Sequence, residues 1–331
     1  MKACLKTAAK GQRGVTLVEL MVALVIGLVI SLAAAALYLA AQESSRSMRA
    51  VGDINETGKI ALDMVGREIQ KSGFFPRQFS SVDQPGGGSA DFFGGFFNGK
   101  AGNRDAFANG LFGCDGATYN PTTRACNNPP VPTAPDAIVV NYFSTPEFGP
   151  ASPLGNFNDC NRQPVSNDAD NAARAAAGRP QFVSNRYGLI TSTYVGPDNN
   201  NVATHSLACH GNGADTAAEH QPMVQGVEDM VIRYGIYGAG AVQSPAEFLT
   251  AAQVTAKLPI DGRTAWQRVT AVKVCVLVRS LDAARQEDKA ANQRTYRNCR
   301  GLDATPPAGD RFIYRRFERI FAVRNNLNAS L

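Results

Sequence analysis

The longest apolar run in the chain extends from Leu20 to Ala41 and is broken only by Ser31. With Val15 to Val18 in front, it reaches about 40 Å as a helix, more than the roughly 30 Å of a bilayer's hydrocarbon core. A spanning helix with some tilt is predicted. Beyond the run, Met48, Val51, Ile54, Gly58, Leu62, Val65 and Ile69 recur at three- and four-residue intervals, so the helix should continue to about Ser72 with one apolar face. No proline precedes Pro76, although Gly52, Gly58 and Gly66 are expected to weaken the middle. The stripe needs a partner, and the natural one is a sheet formed by the C-terminal residues.

The period then changes. From Arg77 to about Pro135 the chain is rich in Gly, Asn, Pro and Phe, including Gly86-Gly87-Gly88 and the aromatic stretch 92–97, and reads as a long surface excursion with little regular structure. Asp136 to Phe143 predicts a strand, and Ser144 to Pro180 is again loop-rich. Tyr187 to Val195 and Val202 to Cys209 predict a strand pair turned at residues 197–201. Val227 to Ile236 predicts another strand, and Pro245 to Lys257 a short helix. In Val269 to Arg279 the residues Val272, Val274, Val276 and Val278 share one face, which predicts a central strand with Phe312 to Val323 as its antiparallel neighbour. The fold class is therefore α+β: a long N-terminal helix, membrane-spanning in its first half, packed on an antiparallel sheet with long loop-rich insertions.

Charge sharpens this picture at one end only. The 331 residues carry 33 basic and 28 acidic side chains, and four of the basic ones, Lys2, Lys6, Lys10 and Arg13, lie in the first 14 residues. What remains is 29 basic against 28 acidic, which gives no electrostatic footprint for nucleic acid. The basic leader on one side of the apolar run places the N-terminus in the cytoplasm and the remainder outside. An ordinary secretory signal has a shorter apolar region that is discarded with it. Cleavage of that kind near Ala36 or Ala41 would leave a soluble periplasmic enzyme or binding protein, the rival from another class.

Of seven cysteines, six lie beyond the apolar run: Cys114, Cys126, Cys160, Cys209, Cys275 and Cys299. In an oxidising compartment they permit three disulfides, and sequence alone allows about 15 pairings. Proximity favours 114 with 126, 160 with 209 and 275 with 299.

The order basic leader, Gly14, then Val15-Thr16-Leu17-Val18-Glu19-Leu20-Met21-Val22-Ala23-Leu24 resembles the prepilin signature of type IV pilins and related subunits. The resemblance implies Gly14 as the scissile residue for a prepilin peptidase, Val15 as the new, methylated N-terminus, and Glu19 as a carboxylate that pairs with the terminal charge of a neighbouring subunit. Val15 departs from the phenylalanine or methionine usual there. A carboxylate at the membrane edge costs about 2.5–3.5 kcal/mol on insertion scales. A buried ammonium facing it reduces that loss and sets axial register between helices.

The stretch Ala61 to Phe74, then Gly226-Val227-Glu228, Tyr234-Gly235, Trp266 and Arg324-Asn325, is similar to the W-type minor pilins (PilW). This implies a pilin-like fold with a leader at 1–14, a transmembrane and filament-core helix at 15–41, its periplasmic half at 42–75, and a globular head at 76–331. It also implies residence in the inner membrane with the head periplasmic, and later in the pilus or at the cell surface. The implied partners are the prepilin peptidase, other minor pilins, the major pilin and the inner-membrane assembly platform. The implied role is pilus assembly or initiation in a tip complex that supports twitching motility or attachment, with no cofactor and no catalysis. A type II secretion pseudopilin shares the leader and the helix and stands as the alternative within the class.

Two local patterns imitate other chemistry. Residues 94–100 fit the start of a phosphate-binding loop, but Ala101 stands where Ser or Thr would bind magnesium. His205, Cys209, His210 and His220 are suitable zinc ligands at a spacing that matches no standard pattern. No nucleophile motif surrounds a serine or cysteine.

Overall fold

The computed structural model of the chain describes residues 16–74, 110–120, 125–127, 129–144, 157–167, 171–172, 176, 180–196, 201–213, 220–239, 244–260, 263–283, 295–307 and 309–326. The chain forms two compact units, one ending at Arg49 and one beginning at Ala50. Helix α1 runs without interruption from Leu17 to Lys71.

In the first unit every described side chain from Thr16 to Ser44 is exposed, including Leu20, Met21, Leu24, Leu28, Ile30 and Leu32 at 58–64%. Ser31 satisfies its hydroxyl within the helix, donating to the Gly27 carbonyl at 2.8 Å.

In the second unit α1 buries Ile54, Gly58, Ala61, Leu62, Val65, Gly66, Glu68 and Ile69. Met48 and Val51, expected on this stripe, are 68% and 36% exposed, and Ala50 is buried instead. Gly58 and Gly66 do not break the helix. Each admits an aromatic ring: a Cβ at Gly58 would fall within the ring of Phe317, and one at Gly66 within that of Phe321. Eight helical residues rise about 12 Å and four strand residues span about 13 Å, so two glycines and two phenylalanines interlock in register.

The strands fall into two antiparallel sheets rather than one. The first has the order β1 (Leu111–Cys114), β4 (Ala137–Ser144), β5 (Gln181–Val195), β6 (Asn201–Gly211), β7 (Gln221–Gln225). The second has the order β13 (Tyr314–Ala322), β10 (Val269–Arg279), β8 (Val227–Ile236), β9 (Glu247–Leu249). Among the described residues two short ribbons, β2 (Tyr119–Asn120) with β3 (Ala125–Cys126) and β11 (Tyr296–Arg297) with β12 (Asp303–Ala304), complete the strands. As the valine pattern predicts, β10 is central, with Val272 opposite Phe321 and Tyr234, and Val276 opposite Phe317 and Met230.

Three expectations change. Leu111 to Cys114, read as part of a surface excursion, is a fully buried strand: a four-residue apolar run is too short to show a period. Only Ala251–Ala256 (α2) is helical in the stretch read as a helix from Pro245. Phe248 pairs with Gly235 in β9, and Thr250 closes a capping box with Gln253. The start of β5 lies six residues before Tyr187, where side chains buried on both faces hide the alternation. The aromatic stretch 92–97 and most of the alanine-rich patch at 172–177 lie outside the described residues.

One core joins the second unit's part of α1 with both sheets. The sheets meet at Gly226, whose φ of +82° turns the chain from β7 into β8. Its N–H donates to the His205 carbonyl at 2.9 Å and its carbonyl accepts from Arg279 N–H at 2.8 Å. Only glycine adopts that φ cheaply. Asp136 is a second tie, accepting from the N–H groups of Gly116 and Ile232, both at 2.8 Å. Burial pushes its carboxyl up to about 6, against the opposing pull of those two donors.

Candidate functional site

The first turn of α1 carries the residue singled out for pairing. Thr16 Oγ1 accepts from Glu19 N–H at 3.3 Å, and the Thr16 carbonyl accepts from Leu20 N–H at 3.2 Å, so Thr16 caps the helix. The T-x-x-E spacing announces this cap in the sequence. The Glu19 carboxylate stands exposed in that turn, where the helix dipole favours a negative charge. Gly14 and Val15 lie outside the described residues. Among the described residues one helix, Leu17–Lys71, is long and apolar enough to cross a membrane. A helix apolar all round belongs in lipid or among other helices.

At its other end α1 is fastened to the head. Gly73, at φ +73°, ends the helix, and Asn325 Nδ2 donates to the Ser72 carbonyl at 2.9 Å. Asn326 Nδ2 donates to the Val269 carbonyl at 3.0 Å. Asn325, of the Arg324-Asn325 pair, is thus the clamp on the helix terminus. Trp266 packs edge-on against Tyr234 at 4.8 Å and donates from Nε1 to Thr255 Oγ1 at 3.1 Å.

Glu68, not singled out from the sequence, is a buried carboxylate on α1 one turn from Val65. It accepts from Lys71 Nζ and from Asn185 Nδ2, both at 2.7 Å, joining α1 to β5. Asn185 Oδ1 in turn accepts from Cys160 N–H at 3.1 Å. Burial, then the Glu68 charge, hold the Tyr142 phenol well above its ordinary range. These groups line a cavity of about 490 Å³ with Asp159 and Arg162. Asp159 is committed to the loop itself, accepting from the N–H groups of Asn161, Gln163 and Gly213 at 2.8–3.0 Å.

The cysteines pair as 114 with 126, 160 with 209 and 275 with 299, at Cα separations of 5.5, 6.4 and 5.6 Å. Each bridge ties an inserted segment to a sheet: β3 to β1, the 157–167 segment to β6, and the β11–β12 ribbon to β10. With Cys209 bridged, no thiolate remains there for a metal. His210 and His220 lie ring to ring at 5.4 Å, and burial, followed by the His210 and Arg186 charges, pushes His220 down to about 4. His205 is instead a link between sheets, its Nδ1 2.8 Å from Glu228, which also accepts from Thr204 and lies 3.1 Å from Arg279. Among the described residues no three His, Cys, Asp or Glu side chains come together as a metal site. The phosphate-loop-like segment 94–101 lies outside the described residues.

The chain thus combines a capped apolar helix, exposed along Thr16 to Ser44, with a second unit built of antiparallel sheets. Residues 9–35 match the prokaryotic N-terminal methylation motif, a segment that contains Gly14, Val15 and Glu19. Residues 193–325, from the end of β5 to the clamp on α1, match the family of type IV pilus-assembly protein W. Both matches fall on one chain, the first over the start of α1 and the second over the C-terminal part of the head, so the chain is similar to type IV pilin-like prepilins and, in its head, to the W type. Among solved structures it is similar to a type IV-like pilin from Thermus thermophilus at 8% identity and a TM-score of 0.33, over 83% of this chain and 97% of that one. Comparison with curated proteins gave no match.

Proposed function

We propose that the protein is a minor pilin of a type IV pilus whose work is assembly rather than catalysis. The observation that carries the reading is the helix from Leu20 to Ala41, apolar but for Ser31 and exposed on every side. It follows a leader in the methylation-motif match. Cleavage after Gly14 leaves the helix on the mature protein, with Val15 as the methylated terminus and residues 15–41 in the membrane. The head, from residue 76, then lies in the periplasm, an oxidising compartment that suits three disulfides.

Extraction from the inner membrane exchanges lipid for neighbouring pilin helices around the same apolar surface, and Glu19 meets the terminal ammonium of a neighbour. A head with two long insertions crowds a shaft and fits a low-copy tip position. There it acts with other minor pilins, the major pilin and the assembly platform to initiate pili for twitching or attachment. Cell fractionation tests this: the protein is expected in membranes and in the filaments sheared from cells. Recovery in the soluble periplasmic fraction alone would contradict it.

A further inference from the structure

The two main sheets have four edge strands, and three of them carry a recognisable protection against further pairing. β1 has four residues and β9 three. β7 contains Pro222 and a register shift against β6. β13 differs. It pairs with β10 through nine consecutive positions without a shift, contains no proline, and has no strand on its outer edge among the described residues.

Charge is the one device on β13, and it is of one sign. Arg315 and Arg319 lie on the same face of the strand as Phe317 and Phe321, with their guanidinium carbons 5.7 and 5.2 Å from those rings. Both are exposed, and neither has an ion pair among the described residues. On the opposite face Arg316 shares Glu318 at 3.8 Å with Lys273, which holds that carboxylate at 2.9 Å, and Ile320 is 55% exposed. A second copy paired antiparallel about Phe317 would set Arg315 against Arg319 twice and Arg316 against Glu318 twice, so the chain's own edge gains no net attraction from these charges, three arginines to one glutamate. They attract an edge of opposite sign.

We infer that the outer edge of β13 accepts an acidic extended segment of another protein as an added strand. Main-chain hydrogen bonds supply the docking, and alternate side chains supply the selection. In antiparallel register the incoming strand sets acidic residues opposite Arg319, Arg316 and Arg315, a basic one opposite Glu318, and apolar ones opposite Ile320 and Phe317. The inference does not depend on the pilus reading, because a peptide tests it directly.

The probe is a fluorescent peptide of sequence Thr-Val-Glu-Lys-Val-Glu-Glu-Thr, titrated against the full chain in detergent micelles. Its control has the same side chains but is N-methylated at the amides that would face β13. The expected result is saturable binding of the probe, at least tenfold weaker for the control and at least tenfold weaker to the double variant Arg315→Gln/Arg319→Gln. Backbone amides of β13 should become protected from hydrogen exchange on binding. Equal binding of the control would reduce the contact to charge alone and overturn strand addition. So would absence of binding, or prior protection of β13 by self-association of the chain.

Discussion

Replacing Gly66 with alanine is expected to destabilise the head by about 1–3 kcal/mol, the usual cost of inserting a methyl group into a packed core. The sign is the informative part, since the same change on an open helix face stabilises by about 1 kcal/mol. Here the new Cβ meets the ring of Phe321, which is only 4% exposed and has nowhere to retreat. Gly52 supplies the control, because a Cβ there meets nothing within 4 Å. Denaturant unfolding followed through Trp266, the sole tryptophan and a buried one, should show Gly66→Ala shifted down and Gly52→Ala shifted up. The double variant Gly66→Ala/Phe321→Leu should lose less than the sum of its parts, as contacting residues do. If Gly66→Ala proves as stabilising as Gly52→Ala, the interlock of helix and strand is wrong.

Replacing Glu19 with alanine should leave insertion and processing intact while lowering the amount of protein in sheared filaments at least tenfold. Removing the carboxylate makes insertion easier, by about 2.5–3.5 kcal/mol on insertion scales, so failure of assembly would not trace to the membrane step. The cap at Thr16 receives the Glu19 backbone N–H and survives the change. Glu19→Gln should fail like Glu19→Ala, because the neighbour's ammonium would still lack its counter-charge. Quantitative blotting of whole cells, membranes and filaments separates these steps. Wild-type amounts of either variant in filaments would remove the pairing role.

The parts of this fold that sequence made legible are those in which one periodic signal dominates. The apolar run, the stripe from Ile54 to Ile69, the alternating valines of β10 and the strand Val227–Ile236 all belong to that class. β13 was legible because a central β10 needs neighbours. What stayed hidden depends on tertiary partners. Gly58 and Gly66 read as weak points until the phenylalanines of β13 are placed against them. Glu68 reads as one more helix-surface carboxylate until Asn185, 117 residues later, arrives beside it. Division of the strands into two sheets is set at Gly226, where a single residue redirects the chain. Cys209 and His210 resembled metal ligands by residue type alone, although proximity in sequence already favoured Cys160 as the partner of Cys209. Of the proposed assembly site, the motif marks Gly14, Val15 and Glu19, whereas the basic edge of β13 emerges only when Arg315 and Arg319 are found on one face, without an ion pair among the described residues.

The account rests on survival of the apolar helix through maturation, and the N-terminal residue of the protein recovered from membranes or filaments tests that most directly. Intact mass and N-terminal sequencing should find a methylated Val15 with residues 1–14 absent. A mature chain that begins near Gln42 would show that the helix had been discarded with its leader, and would contradict the assembly reading.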